Sequence, residues 1–215
     1  MITCYAFGWV PPFARGLVRD LRVRWALEEA GLPYRVKLVG DAPGQVARDA
    51  YRAVQPFGQI PAIEDDDFAL FESGAIVQYV AERSGGALWP EAARDRARVA
   101  QWMYAALNTI EIPIQELAGL DLFFTDEAWS KERRPGAVES VRKRLGELAA
   151  CLDEREYLVE RFSAADILMT TVLRIVRHTN LVEEHRALAD YHARCEARPA
   201  FAKALADQLA VFEGR

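Results

Sequence analysis

The residues best suited to chemistry lie in one stretch, Gln55 to Ile76, which reads Gln-Pro-Phe-Gly-Gln-Ile-Pro-Ala-Ile-Glu-Asp-Asp-Asp-Phe-Ala-Leu-Phe-Glu-Ser-Gly-Ala-Ile. Pro61 follows Ile60 at the entry to a strand, where proline donates no ladder hydrogen bond and an X-Pro bond adopts cis at modest cost. If that bond is cis, Ile60 turns its N–H and C=O outward, where they can pair with an extended peptide as in strand addition. Further on, Glu72-Ser73-Gly74 opens a run in which Ile76, Val77 and Val80 recur at helical spacing. Ser73 is the expected N-cap, and its hydroxyl, with the unpaired N–H groups of a first helical turn, suits a carboxylate. Glu72 can accept hydrogen bonds from an ammonium group. Strand-like pairing at one end, and carboxylate plus ammonium recognition at the other, fit a small zwitterionic peptide.

The elements that must position these groups follow from the chain on either side. Ala62 to Glu64 and Phe68 to Phe71 are short apolar-rich strands joined by Asp65, Asp66 and Asp67, a hairpin. Ile2 to Phe7 is a strand, Gly8 to Phe13 a loop, Ala14 to Ala30 a helix ending at Gly31, and Tyr34 to Val39 a second strand. Strand, helix, strand, irregular segment, hairpin and helix is the thioredoxin-like order, with the first two strands parallel through a right-handed crossover. Ser84-Gly85-Gly86 and Trp89-Pro90 form a linker. Beyond Ala93 the pattern is helical throughout. The expected fold class is therefore α+β with two domains: a thioredoxin-like α/β domain over 1–84, and an all-α helical bundle over 94–215.

Gly58-Gln59-Ile60-Pro61 followed by Glu72-Ser73 resembles the glutathione-site signature of cytosolic glutathione transferases. The segment from Trp25 to Tyr34 is similar to the same family, as are Phe162 to Ile167, the capped start of a central helix, and Ala197 to Phe201 near the end. The glycine usual a few residues before the capped helix is replaced here by Leu158-Val159-Glu160-Arg161. On these motifs the chain is identified as a member of that family, of the bacterial type, and the resemblance spans essentially the whole sequence. It implies glutathione as co-substrate, held by Gln59, Ile60, Pro61, Glu72 and Ser73. It also implies a homodimer, a detoxification role, and attack by the glutathione thiolate on a small apolar electrophile in the all-helical domain's pocket. A glutathione-dependent isomerase, dehalogenase or reductase is the alternative on the same fold, and a non-catalytic binding protein is the alternative from another class.

One departure bears on catalysis. In the family the group that activates the thiol is usually Tyr, Ser or Cys at the end of the first strand or the start of the first helix, yet Trp9 to Arg15 offer no hydroxyl or thiol. Arg15, close to the helix start, is the preferred catalytic candidate because a guanidinium stabilises a thiolate by charge and hydrogen bonding; a solvated arginine is the competing reading. Backbone N–H groups from Phe13 to Gly16 are a second source. Tyr5 reads better as a core residue. Arg19, Arg22 and Arg24 either bind a carboxylate or face water, the latter preferred. Trp9, Phe13, Tyr104 and Asn108 are the candidate walls of an electrophile pocket.

Composition excludes several other classes. Hydrophobic residues make up 51% and charged residues 27% of 215, an ordinary globular balance. A net charge of −5 argues against nucleic acid as a partner. Cys4, Cys151 and Cys195 are too few and too far apart for a disulfide framework or zinc site, and each is expected to be a small buried hydrophobe. His178, His185 and His192 recur every seven residues but lack a completing acidic set, so no metal is expected. With no apolar run of membrane-spanning length and no leader pattern at Met1, a cytoplasmic location is expected and a membrane is not.

In the helical half, Val99, Trp102, Met103, Ala106, Leu107 and Ile110 form an apolar face. Gln101, Tyr104, Asn108, Glu111 and Gln115 form a polar, mostly uncharged one, suited to a cleft, a subunit contact or solvent. Pro113 should bend or interrupt that helix. Lys131 to Gly136 is expected to be a connection before a helix carrying Val138, Val141, Leu145, Leu148 and Leu152. Ser163 and Asp166 form a capping box ahead of an almost wholly apolar helix.

Overall fold

The computed structural model describes residues 1–40 and 49–213. Two compact units emerge: Met1–Glu91 together with the C-terminal segment from Arg198, and Ala92–Ala197. The expected boundaries group that last segment with the helical half, whereas its contacts are with the first unit.

In the first unit β1 (Ile2–Phe7) is followed by a long loop, α1 (Asp20–Ala30) and β2 (Tyr34–Val39). The irregular segment expected after β2 falls in part, at 41–48, outside the described residues; it ends in one helical turn, α2 (Asp49–Arg52). The hairpin β3 (Ala62–Asp65) and β4 (Phe68–Phe71) and then α3 (Ser73–Glu82) complete the unit's N-terminal part. The four strands form one sheet in the order β2-β1-β3-β4. β1 and β2 are parallel, and the hairpin is antiparallel with Asp65 opposite Phe68, so Asp66 and Asp67 alone make its turn. Asp66 takes the left-handed conformation that aspartate tolerates, at φ 55°.

α1 begins at Asp20, six residues later than its apolar spacing suggests. The cause is local: Pro11 and Pro12 start a short 3-10 turn over Pro12–Ala14, and Gly16 at φ 76° turns the chain before a helix can propagate. Once begun, α1 is buried along Asp20–Leu27 and stops at Gly31 in the left-handed conformation. Arg22 and Arg24, expected in water, are both 2% exposed. Arg24 pairs with Asp20 one turn earlier at 2.7 Å, which sets charge against charge where water cannot reach.

The C-terminal helix accounts for much of this burial. α4 to α8 belong to the second unit: Ala93–Tyr104, Glu111–Leu122, Ala128–Leu152, Ala164–Leu173 and Arg186–Glu196. The last helix, α9 (Pro199–Ala210), packs along α1. Trp25 meets Phe201 edge to face at 4.9 Å, and Arg198 forks onto the Glu29 carboxylate at 2.6 and 2.8 Å. Gln208, 1% exposed, donates from Nε2 to Asp20 Oδ1 at 2.6 Å and to the Val18 carbonyl at 3.1 Å.

In the second unit the apolar face of α4 is inward as expected, with Val99 and Met103 buried. Pro113 interrupts the regular α-helix, as expected, without ending the helical path. A π-helical turn over Ala105–Ile110 precedes it, and α5 restarts at Glu111, so the wider turn absorbs the hydrogen bond and the space that proline denies. The expected connection at Lys131 to Gly136 is instead helical, because α6 runs through Pro135. Residues 131–136 are exposed, so water can take the carbonyl that proline leaves unpaired. Arg133 to Glu116 and Arg134 to Asp121 tie the stretch to α5. The capping box forms as the sequence indicates, with Ser163 as N-cap of α7 and Asp166 bonding back to its N–H at 2.9 Å.

Candidate functional site

Strand register brings three segments to one end of the sheet. β1 pairs with β3 through Thr3 opposite Glu64 and Cys4 opposite Ile63, and continuing that register places Phe7 opposite Ile60. β3 pairs with β4 through Ala62 opposite Phe71, so Pro61 falls opposite Glu72. The loop after β1, the Ile60-Pro61 step and the start of α3 are therefore neighbours. The Ile60-Pro61 bond is cis, and Ile60 precedes the β3 ladder, which leaves its backbone unused by the sheet.

Side chains from α2 build the approach to that step. The Tyr51 hydroxyl donates to the Gln59 carbonyl at 2.7 Å, and Arg52 Nη1 donates to the Pro56 carbonyl at 3.1 Å. Gln55, 2% exposed, accepts the Phe57 N–H on its own Oε1 at 2.6 Å. Gly58 sits at φ +67°, a backbone conformation that favours glycine, and a Cβ there would lie 3.2 Å from Arg52 Nη2, so the exposed guanidinium would have to shift slightly.

At α3 the expected capping is displaced by one residue. Glu72, at φ 71° and ψ 114°, is the N-cap, and Ser73 is the first helical residue. The chain must reverse sharply from β4 into α3, and Glu72 makes the reversal with its carboxylate exposed. Ser73 Oγ does not cap the helix; it accepts a hydrogen bond from Arg22 Nη1 at 3.1 Å, with both residues buried. The first helical bond runs from the Ile76 N–H to the Glu72 carbonyl at 2.9 Å, so the N–H groups of Ser73, Gly74 and Ala75 are left for other partners, as at any helix start. A hydroxyl, three backbone N–H groups and the positive end of a helix make a cradle for a carboxylate.

The same segments are matched by known proteins. A model of the glutathione S-transferase N-terminal domain matches residues 21–83, and one of the C-terminal domain matches residues 117–199. The chain is 33% identical over 148 residues to glutathione S-transferase F9 of Arabidopsis thaliana, which covers 66% of this chain and 68% of that one. It belongs to the glutathione S-transferase family. Among solved structures it resembles a glutathione transferase from Pseudomonas putida with one glutathione disulfide bound per subunit, at 25% identity and a TM-score of 0.83, covering 95% of this chain and 90% of that one. A glutathione transferase from Burkholderia graminis, with two glutathione molecules bound per subunit, matches at 27% identity and a TM-score of 0.83, covering 95% and 87%.

Within this glutathione S-transferase fold, the candidates for thiol activation are placed as follows. Phe13 lies in the 3-10 turn and is half-buried, as is Trp9 in the same loop. Arg15 is five residues short of α1 rather than at its start, and its guanidinium lies over the Phe212 ring, 5.7 Å from the centroid. The Ala14 and Arg15 N–H groups are spent on the Pro11 and Pro12 carbonyls at 2.9 and 3.3 Å, which removes them as donors. Tyr5 is a core residue: its ring packs against that of Tyr51 at 5.1 Å, tilted by 44°, and its hydroxyl donates to Glu64 Oε2 at 2.5 Å and accepts from Lys37 Nζ at 3.0 Å. Burial holds its pKa above the ordinary phenol value, with the Glu64 bond acting in the same sense.

Tyr104 and Asn108 belong to the second unit, one turn apart across the end of α4 and the π-helical turn, and both are exposed. Of the polar face they share, Glu111 alone is buried. The three histidines do not converge: His178 meets Asp121 at 3.1 Å, His185 is the N-cap of α8, and His192, 17% exposed, lies beside Glu196. Among the described residues no cluster of three His, Cys, Asp or Glu side chains could hold a metal ion, and no helix is long and apolar enough to cross a membrane. Cys4 and Cys195 are buried as expected, but Cys151 is exposed on α6.

Tyr51 and Gln208 carry no signal in the sequence, and Arg22, weighed there as a carboxylate binder but expected in water, is buried against Ser73. Asp20 and Arg24 at helical spacing do signal an ion pair. Nothing local marks Arg22, because the element that buries it lies 51 residues away at Ser73.

Proposed function

We propose that the protein binds glutathione at the end of its sheet and uses the thiolate against small apolar electrophiles. The observation that carries this is the register that brings cis Ile60-Pro61, Glu72 and Ser73 to one edge, in a member of the glutathione S-transferase family. In this assignment the cysteinyl backbone pairs with Ile60, Gln59 and Pro61 flank it, the γ-glutamyl carboxylate lies at Ser73 and the start of α3, and its ammonium lies at Glu72. The S–H proton passes to solvent, the thiolate forms a bond to the electrophilic carbon, and the electron pair leaves with the displaced group or moves into the adjacent π system. Arg15 is the single charged residue from Gly8 to Leu17, and we assign thiolate stabilisation to it, with Phe13 and Trp9 shielding the sulfur. Tyr104 and Asn108 are proposed contacts for the electrophile. The test is conjugation of an aryl halide with Arg15→Ala beside the unaltered protein, together with the thiolate absorbance of bound glutathione. Equal activity and an unmoved thiol titration would remove Arg15 from the mechanism.

A second reading draws on the bound states of the relatives, a glutathione disulfide in one and two glutathiones in the other. With Cys4 and Cys195 buried and no thiol in the β1 loop, disulfide reduction here would run through glutathione alone. One thiolate attacks the substrate disulfide and expels a thiolate, and a second glutathione resolves the mixed disulfide to give glutathione disulfide. Turnover of a small dialkyl disulfide in the absence of aryl-halide conjugation would favour this reading. A homodimer in the cytoplasm with a detoxification role remains our proposal for the setting. Phe57 at 64% and Phe68 at 44% exposure support a partner surface on the first unit, and sedimentation equilibrium would measure the state.

A further inference from the structure

We propose that Arg22 is a positioning residue for glutathione, acting through Ser73; this rests on the glutathione-binding reading above. Arg22 Nη1 donates to Ser73 Oγ at 3.1 Å, with the two residues 2% and 6% exposed. A serine hydroxyl has one proton and two lone pairs. With one lone pair taken by a guanidinium, which can only donate, the hydroxyl proton is free to be given to an anion. The other usual outlet for a serine in a helix is back-bonding to a carbonyl of the preceding turn, and the hold from Arg22 competes with that rotamer. A neighbouring cation also polarises the O–H bond, an effect strengthened where solvent is excluded.

Arg22 is well placed for this role. It lies between Leu21 and Val23, 2% and 0% exposed, in the part of α1 buried throughout, so its long side chain is held by packing rather than by the ligand. The bond also joins α1 to the first residue of α3, fixing the hydroxyl relative to the N–H groups of Ser73, Gly74 and Ala75. The structure thus assigns to Arg22 the recognition of the γ-glutamyl carboxylate without direct contact with it.

The test is calorimetric titration of the full chain with glutathione and with an analogue whose γ-glutamyl residue is replaced by 4-aminobutyrate, which lacks that carboxylate. Arg22→Met should weaken glutathione binding by about tenfold or more, the scale of one charge-assisted hydrogen bond, and leave the analogue nearly unchanged. In the Ser73→Ala background the same substitution should add little, and Arg22→Lys should restore part of the affinity. Retained analogue binding shows that each variant is folded. Glutathione binding unmoved by Arg22→Met, or an equal loss for both ligands, overturns the role of Arg22 while leaving the site intact. No glutathione binding by the unaltered protein overturns the functional reading and the role of Arg22 with it.

Discussion

Replacing Asp166 by Asn separates two effects that oppose each other at the capping box. The Asp166 carboxylate is fully buried, and it accepts from the Leu158 N–H at 3.0 Å, the Ser163 N–H at 2.9 Å, the Ser163 hydroxyl at 3.1 Å and the Tyr191 hydroxyl at 3.0 Å. Each bond favours the charged form, yet burial outweighs them together and pushes the pKa up from 3.8 to about 6. The folded-state pKa lies above the unfolded one, so the group's relative contribution to stability is complete below about 3.8 and is lost as pH rises through about 6. The whole swing is about 3 kcal/mol, of which about 2 kcal/mol falls between about pH 4.5 and about pH 7.5.

Asn has no such titration, and the other ionisable groups cancel in the comparison. Equilibrium urea unfolding of both proteins across that range gives the difference directly. The unaltered protein should hold its greatest advantage over Asp166→Asn at the acid end, with the advantage shrinking by about 2 kcal/mol towards neutral pH. An advantage that grows with pH would show that the four hydrogen bonds overcome desolvation, and would refute the reasoning.

Two further predictions concern the helical unit and the thiols. Pro135→Ala should stabilise the protein by about 1–3 kcal/mol, since it restores an N–H and removes a ring clash in an exposed stretch of α6, and a thermal scan that shows no rise in Tm would contradict the helical placement. A thiol reagent at neutral pH should label Cys151 alone in the native protein, because burial shields Cys4 and Cys195 and raises their pKa values, that of Cys195 to about 12. Mass spectrometry finding Cys4 or Cys195 modified as fast as Cys151 would be inconsistent with this core.

Local pattern carried most of the first unit, and its failures share a cause. β1, β2, the hairpin and the Ser163–Asp166 box are set by alternation, turn residues and caps close in sequence, and they stand where those signals place them. Arg22 and Arg24 look solvated because nothing near them shows Ser73, Asp207 or Gln208, which arrive from α3 and α9. Pro135 reads as a break because propensity prices the lost hydrogen bond but not a carbonyl that water can satisfy. Ser73 reads as a cap because serine usually is one, whereas the reversal from β4 is made by Glu72 and the hydroxyl is taken by Arg22. At the site, the residues at Ile60-Pro61 and Glu72-Ser73 were legible, but the way α1 and α2 hold them was not.

The measurement that bears most directly on function is calorimetric titration of the purified protein with glutathione, repeated on Ser73→Ala. Saturable binding weakened about tenfold by the substitution is the expected result, since one hydrogen bond to a charged group is lost. Absence of binding by the unaltered protein at millimolar glutathione, or binding indifferent to Ser73, would contradict a glutathione site at the start of α3.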